Sequence, residues 1–126
     1  MTGWQADFLE GCCARADGAA LGEGAFAPGP ALWIGKREVA HFDEERRLEV
    51  RLTRTEIRRR RAELQLDDRV SLRHGTSDWL EVAIESDDDA RWATALVLDA
   101  VEANRPTAPV GLPPTGAELE RRRRFH

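Results

Sequence analysis

The sequence predicts one α+β domain, in which a mostly antiparallel five-stranded sheet carries helices on one side. Three observations support this fold class. Residues 48–52 alternate between apolar and charged side chains, as expected for a strand that is buried on one face. Short turns connect the predicted strands, which favours antiparallel pairing. Residues 87–103 repeat apolar side chains at helical spacing behind a capping serine, Ser86. The expected order of elements is α-β-β-β-α-β-β-α.

The remaining elements follow from spacing and from helix-capping residues. Trp4, Phe8 and Cys12 recur at helical spacing and predict a first helix over residues 4–15. Glycine and proline are frequent in residues 18–30, which therefore read as a flexible connector with room for a short strand around Ala25. The second helix starts behind Thr53, which has the capping-box spacing to Glu56, and its thin apolar stripe is Ile57 and Leu64, with Ala62 beside it. Two further strands are predicted over residues 70–72 and 79–84.

A hairpin is predicted around Gly35, where two apolar-rich runs are separated by Gly-Lys. Glycine in the first central position is what a type II′ turn requires. This turn pairs Leu32 with Val39, and Trp33 with Glu38. The same register places four side chains together on the apolar face, namely Leu32, Ile34, Val39 and His41.

Composition limits the kind of protein. The chain has 126 residues and a formal net charge of −4, which suits a single domain and argues against a polycationic nucleic-acid binder. Its two cysteines, Cys12 and Cys13, are adjacent and so support neither a disulfide framework nor a four-cysteine zinc site. With no signal-peptide pattern and no long apolar run, we expect a cytoplasmic protein without a membrane span. We assign residues 1–105 to the domain and residues 106–126 to a flexible tail rich in proline, glycine and arginine.

Several short patterns resemble known families. They are the hairpin of residues 34–41, the alternating strand of residues 48–52, His74 followed by Ser-Asp-Trp, and the helix start Ser-Asp-Asp-Asp at residues 86–89. In these features residues 32–105 resemble a bacterial and fungal family of small domains labelled "luciferase domain". A looser likeness in the order of elements joins the chain to MmcQ/YjbR-like proteins, which are often labelled DNA-binding. Neither resemblance implies an established reaction, and Asp78 replaces the glycine of the first family's usual Ser-Gly-Trp turn.

The two internal histidines are candidates for chemistry. His41 and His74 lie near strand ends and, together with Glu38, offer an acid/base or metal site. The alternative is that each histidine has only a structural role and forms a hydrogen bond with a neighbouring loop. The sequence has no nucleotide-binding loop and no nucleophile motif. We therefore expect a non-enzymatic domain without a cofactor or a metal, and the histidine site is the enzyme-class alternative.

Two surfaces are candidates for binding. The polar face of the sheet presents Arg47, Glu49 and Arg51, and the edge with His41 and His74 is the alternative to it. The polar face also includes Trp79, which we expect to be buried. A basic helix places Arg54, Arg58 and Arg61 on one face, where they could contact phosphates of a nucleic acid. The alternative for the basic helix is a solvated face whose charge is offset by nearby acids. The leading interpretation is a binding or protein-interaction module whose partner is another protein or a second copy of the chain.

Overall fold

The computed structural model describes residues 3–106 together with Gly116, Leu119 and Arg123. The predicted tail therefore lies outside the described residues except for Pro106 and these three positions. The elements in chain order are α1 (Gly3–Arg15), β1 (Ala19–Glu23), β2 (Pro30–Ile34), β3 (Arg37–Glu44), β4 (Arg47–Arg51), α2 (Arg54–Leu66), β5 (Val70–Leu72), β6 (Trp79–Ala83) and α3 (Asp87–Ala103).

The described strands form one antiparallel sheet in the order β1-β2-β3-β4-β6-β5. Helices lie on one side of it, so the predicted α+β class is confirmed. Among the described residues, no helix combines the length and the apolar character needed to cross a membrane.

The core lies between the sheet and helices α1 and α3. One row of side chains runs across four strands in register, and all its members are fully buried: Leu32, Ala40, Val50 and Leu80. Helix α3 covers this row with its own buried stripe of Ala93, Leu96, Val97, Ala100 and Val101. Burying one large aliphatic side chain contributes about 1.5–3 kcal/mol, so this apolar layer supplies the main stabilisation of the sheet.

Helix α2 is attached to the rest of the fold more weakly than α3. Its buried side chains are Ile57 and Leu64, as the thin stripe predicts. Thr53 caps it through Oγ1, which accepts a hydrogen bond from the backbone N–H of Glu56 at 3.3 Å. The reciprocal half of the predicted capping box does not form, because the N–H of Thr53 donates instead to the carbonyl of Asp78 at 3.0 Å.

The first strand was missed by the sequence prediction. Residues 19–23 form β1, a full edge strand paired with β2, so the described sheet has six strands rather than five. The reason is that β1 has the sequence Ala-Ala-Leu-Gly-Glu, which contains no β-branched or aromatic residue. Its position is fixed by backbone pairing with β2 and not by local preference. No strand includes Ala25.

The predicted register of the first hairpin is only half right. Trp33 pairs with Glu38 as expected, but Leu32 pairs with Ala40, so Val39 is an extra residue in a β-bulge. The bulge changes which later residues of β3 face the core. His41 stands opposite Ala31 and Glu49 and lies on the polar face of the sheet. The prediction that His41 belongs to the apolar face is therefore wrong.

We expect Leu80→Ala to lower the free energy of unfolding by about 2–5 kcal/mol, because it leaves a cavity in a fully buried row. Leu66→Ala is the matched control, since Leu66 is 86 % exposed at the end of α2. It should change stability by less than about 0.5 kcal/mol. Urea denaturation of the three proteins measures both values. Equal losses for the two variants would contradict the assigned core.

Candidate functional site

A small cavity of about 80 Å³ lies between α2 and the loop of residues 73–78. We call it the arginine groove. Its lining residues are Arg54, Ile57, Arg58, Arg61, Leu72, Arg73, Gly75, Thr76, Ser77 and Trp79. The three arginines of the predicted basic helix face thus line one cavity. The structure adds Arg73, which the sequence analysis did not single out because it lies outside the basic helix.

The arginines of the groove are only partly neutralised. Arg54 pairs with Asp78, with Nε 3.3 Å from Oδ1, and Arg73 pairs with Glu49. Arg58 forms no ion pair with any described residue, and the same holds for Arg61. Like charges three or four positions apart destabilise a helix by about 0.2–0.5 kcal/mol per pair. The groove therefore concentrates positive charge, and the repulsion between these arginines lowers the stability of α2.

The backbone at the entrance of the groove is strained. Thr53 has φ 84° and ψ 146°, a conformation that a β-branched residue rarely adopts. Such a residue costs about 1–3 kcal/mol and is found where the surrounding structure enforces it. Asp78 provides this enforcement, because its carbonyl accepts from the N–H of Thr53 and its Oδ1 accepts from the N–H of Arg54 at 2.9 Å. The start of α2 is thus anchored to the loop that closes the groove.

The same contacts lower the pKa of the Asp78 carboxyl group. Burial on its own would raise the pKa of Asp78, but hydrogen bonds from the backbone and side chain of Arg54 outweigh it, with help from the charges of Arg54 and Arg51. The net result is a pKa below the ordinary value for aspartate. Asp78 therefore stays ionised at neutral pH and holds one arginine of the groove in place.

Trp79 connects the groove with the polar face of the sheet. It is buried, as predicted, at 6 % exposure, and it lines the groove. Its ring contacts Phe26 edge-on, with centroids 5.3 Å apart, and it lies 5.1 Å from the ring of His41. The guanidinium of Arg51 lies 5.7 Å from the centroid of the Trp79 ring. Arg47, the other predicted ligand-binding arginine, pairs with Glu81 at 3.4 Å.

Two of the three candidate acid/base residues come together. Nδ1 of His41 lies 3.4 Å from Oε1 of Glu38, and both side chains are buried. The two atoms are close enough for an ion pair, yet neither makes a hydrogen bond to any described residue. His74 is exposed in the loop after β5, where it lines a second cavity with Arg61 and Arg73. No contact among the described residues joins His74 to the other two.

Cys12 is a buried residue of the core. The thiol lies in the core between α1 and the sheet, and burial raises its pKa to about 11. The thiol therefore keeps its proton at neutral pH, and only the thiolate attacks electrophiles.

We expect Asp78→Asn to lower the free energy of unfolding at pH 7 by about 0.2–1 kcal/mol, the range of an exposed ion pair. Because the pKa of Asp78 is lower in the folded than in the unfolded state, its stabilisation is present above the unfolded pKa, about 3.9. It is lost as the pH falls through the folded pKa. Urea denaturation of both proteins between pH 7 and pH 2.5 should therefore show a difference that shrinks in acid. A difference independent of pH would contradict the ionic contact.

Comparisons of the chain with family models, with curated proteins and with solved structures found no match. The resemblance to the "luciferase domain" family therefore stays a prediction from the sequence patterns, and the function has to be argued from the geometry of the site.

Proposed function

We propose that this domain is a non-enzymatic binding module that takes a phosphate group of its ligand into the arginine groove. One observation carries the proposal. Among the described residues, the groove is lined by four arginines and by no acidic side chain, and two of these arginines lack an ion pair. In a chain with a formal net charge of −4, such a concentration of guanidinium groups indicates an anionic ligand.

The chemistry of the groove suits a phosphate. A guanidinium is planar and offers parallel N–H donors, so it binds two oxygens of a phosphate at once. The hydroxyl groups of Thr76 and Ser77 lie in the same lining and supply further hydrogen-bonding groups. Ile57 and Leu72 form apolar parts of the wall. Such a wall lowers the local dielectric constant and strengthens the attraction between arginine and phosphate.

The size of the groove indicates how much of the ligand enters. A pocket for a whole drug-sized molecule has about 300–1,000 Å³. The groove has about 80 Å³, which is space for one compact group. The second cavity, of about 350 Å³, shares Arg61, Leu72, Arg73 and Gly75 with it and is lined by His74 as well. The two cavities therefore form a track that suits a ligand with at least two linked phosphates.

Phosphodiesters of a nucleic acid and a free diphosphate offer the same chemistry to this track. The nucleic-acid alternative gains support from the placement of Arg54, Arg58 and Arg61 along a single cavity wall. The negative charge of the whole chain works against long-range attraction of a polyanion. Binding therefore depends on close contacts inside the track and should weaken steeply with salt.

We expect Arg58→Gln and Arg61→Gln each to weaken the binding of pyrophosphate by about tenfold or more, because each removes a charge-assisted hydrogen bond of about 1.5–3 kcal/mol. Titration calorimetry at low ionic strength measures the affinity. Arg59→Gln is the matched control. It removes the same charge from the same helix, but Arg59 pairs with Glu56 and lies outside the lining of the groove.

A second arm of this experiment separates the two sources of phosphate. A short single-stranded oligonucleotide is titrated into the same four proteins at two salt concentrations. Binding of pyrophosphate identifies a small diphosphate ligand, and binding of the oligonucleotide alone identifies a nucleic acid. Both results support the groove if they depend on Arg58 and Arg61. The proposal fails if neither probe binds, or if Arg59→Gln loses as much affinity as the groove variants.

A further inference from the structure

Three carboxylates converge on the polar face of the sheet, away from the core. Asp43, Glu49 and Glu81 each bring an oxygen to within 4.8 Å of the others, and we call them the carboxylate cluster. Glu49 and Glu81 are directly paired neighbours on β4 and β6, and His41 stands opposite Glu49 on β3. Like charges opposite one another destabilise a sheet, and ion pairs with Arg47 and Arg73 offset part of this repulsion.

A second irregularity of the sheet brings Asp43 into the cluster. The register of β3 and β4 shifts between Phe42 and Glu44, which leaves Asp43 without a partner in the ladder. A β-bulge of this kind redirects a side chain and is frequent next to functional sites. Asp43 is exposed and also lines an open cleft of about 570 Å³ at the end of the hairpin that β3 and β4 form. The cluster is therefore accessible from solvent.

A buried imidazole lies beside Glu49, one of the three carboxylates of the cluster. The side chain of His41 is 4 % exposed, and its Nε2 lies 3.8 Å from Oε2 of Glu49, which is too long for a hydrogen bond. No described residue makes a hydrogen bond to this nitrogen. A ligand that bonds to Nε2 therefore displaces no existing hydrogen bond, whereas Nδ1, across the ring, faces Glu38.

We propose that His41 and the carboxylate cluster bind a divalent transition-metal cation, with Nε2 of His41 and one oxygen each from Asp43, Glu49 and Glu81 as ligands. An imidazole together with carboxylate oxygens suits cations such as Zn²⁺, Mn²⁺ and Fe²⁺. Cations that prefer an all-oxygen shell, such as Mg²⁺, have less use for the histidine. This site is separate from the arginine groove and does not depend on the function proposed for it.

Glu38 is the positioning residue of the site. A metal-binding histidine usually donates its other N–H to a carboxylate, which fixes the tautomer and the orientation of the ring. Oε1 of Glu38 lies 3.4 Å from Nδ1 of His41, on the side of the ring away from the cluster. Its other oxygen, Oε2, accepts from the N–H of Ala25 at 3.3 Å. A Cβ on Gly24 would clash with the backbone oxygen of Ala27 and would lie 3.0 Å from Oε1, so only glycine fits beside this carboxylate.

The charges around the cluster are compatible with a dication. Arg47 pairs with Oε1 of Glu81, and Arg73 pairs with Oε2 of Glu49. Three carboxylates and two guanidiniums leave one net negative charge when His41 is neutral. Asp43 forms no ion pair with any residue in the described part of the chain. A cation can therefore be bound without displacing every arginine.

The test is a metal titration of the full chain after treatment with a chelator. Zn²⁺, Mn²⁺ and Mg²⁺ are added separately, and the melting temperature is followed. A site that binds only the folded state should raise the melting temperature by about 10 °C when the free metal exceeds Kd a hundredfold. We expect this increase with Zn²⁺ or Mn²⁺ and a much smaller one with Mg²⁺. A Mg²⁺ effect as large as the others would overturn the assignment of a transition metal.

Substitutions of the proposed ligands test where the metal binds. Asp43→Asn and Glu49→Gln should each weaken binding at least tenfold in calorimetry. Asp43 is exposed, so its variant is expected to fold normally. Glu45→Gln is the matched control, because Glu45 is an exposed acid near the tip of the same hairpin and lies outside the cluster. Unchanged binding in the first two variants, or equal loss in the control, would overturn the proposed site.

A spectroscopic readout separates the role of Glu38 from a loss of folding. In ¹⁵N-labelled protein, Zn²⁺ should shift the Nε2 resonance of His41 and leave that of His74 unchanged. Glu38→Gln should keep the shift of Nε2 and weaken the affinity about 10- to 100-fold, since the ring remains a ligand but loses its orienting carboxylate. Absence of any Zn²⁺-dependent shift at His41 would overturn the proposal.

Discussion

The two-residue period of the sheet is the constraint on which the rest of the structure depends. In the central strand β4, Leu48 and Val50 face α1 and α3, and Glu49 must then face the other way. Because neighbouring strands are in register, every residue of a cross-strand row shares the same face. The apolar rows stabilise the fold, and the polar rows gather charged side chains from distant parts of the sequence. Glu49 and Glu81 meet for this reason, whereas two irregularities of β3 bring His41 and Asp43 to the same face.

The features that depend on local preference could be predicted from the sequence. The alternation of β4, the serine cap of α3 and the thin apolar stripe of α2 are all short-range patterns, and the structure confirms each of them. Strand β1 was not predictable in this way, because its residues have weak strand propensity and it is held by backbone hydrogen bonds to β2. Pairing of β1 with β2, and not the local sequence of β1, therefore determines that this segment is a strand.

The candidate sites were predictable to a similar extent. Helical spacing placed Arg54, Arg58 and Arg61 on one face, and the structure shows them along one cavity. Arg73 was not found, because only the fold brings the loop after β5 to that helix. The bulge at Val39 had a larger effect, since one unpaired residue moves His41 from the core to the polar face. No local pattern around Gly35 distinguishes the regular hairpin from the bulged one.

A single ion pair, between Arg73 and Glu49, spans the two proposed sites. The guanidinium of Arg73 lines the arginine groove, and the carboxylate of Glu49 belongs to the carboxylate cluster. If both proposals hold, a cation that draws Glu49 toward itself would weaken the ion pair with Arg73 and would free that arginine for an anion. Thermodynamic reciprocity then requires that an anion in the groove tighten the cation by the same factor. With both sites occupied, the domain would act as a coincidence detector, responding most strongly when the two ions are present together.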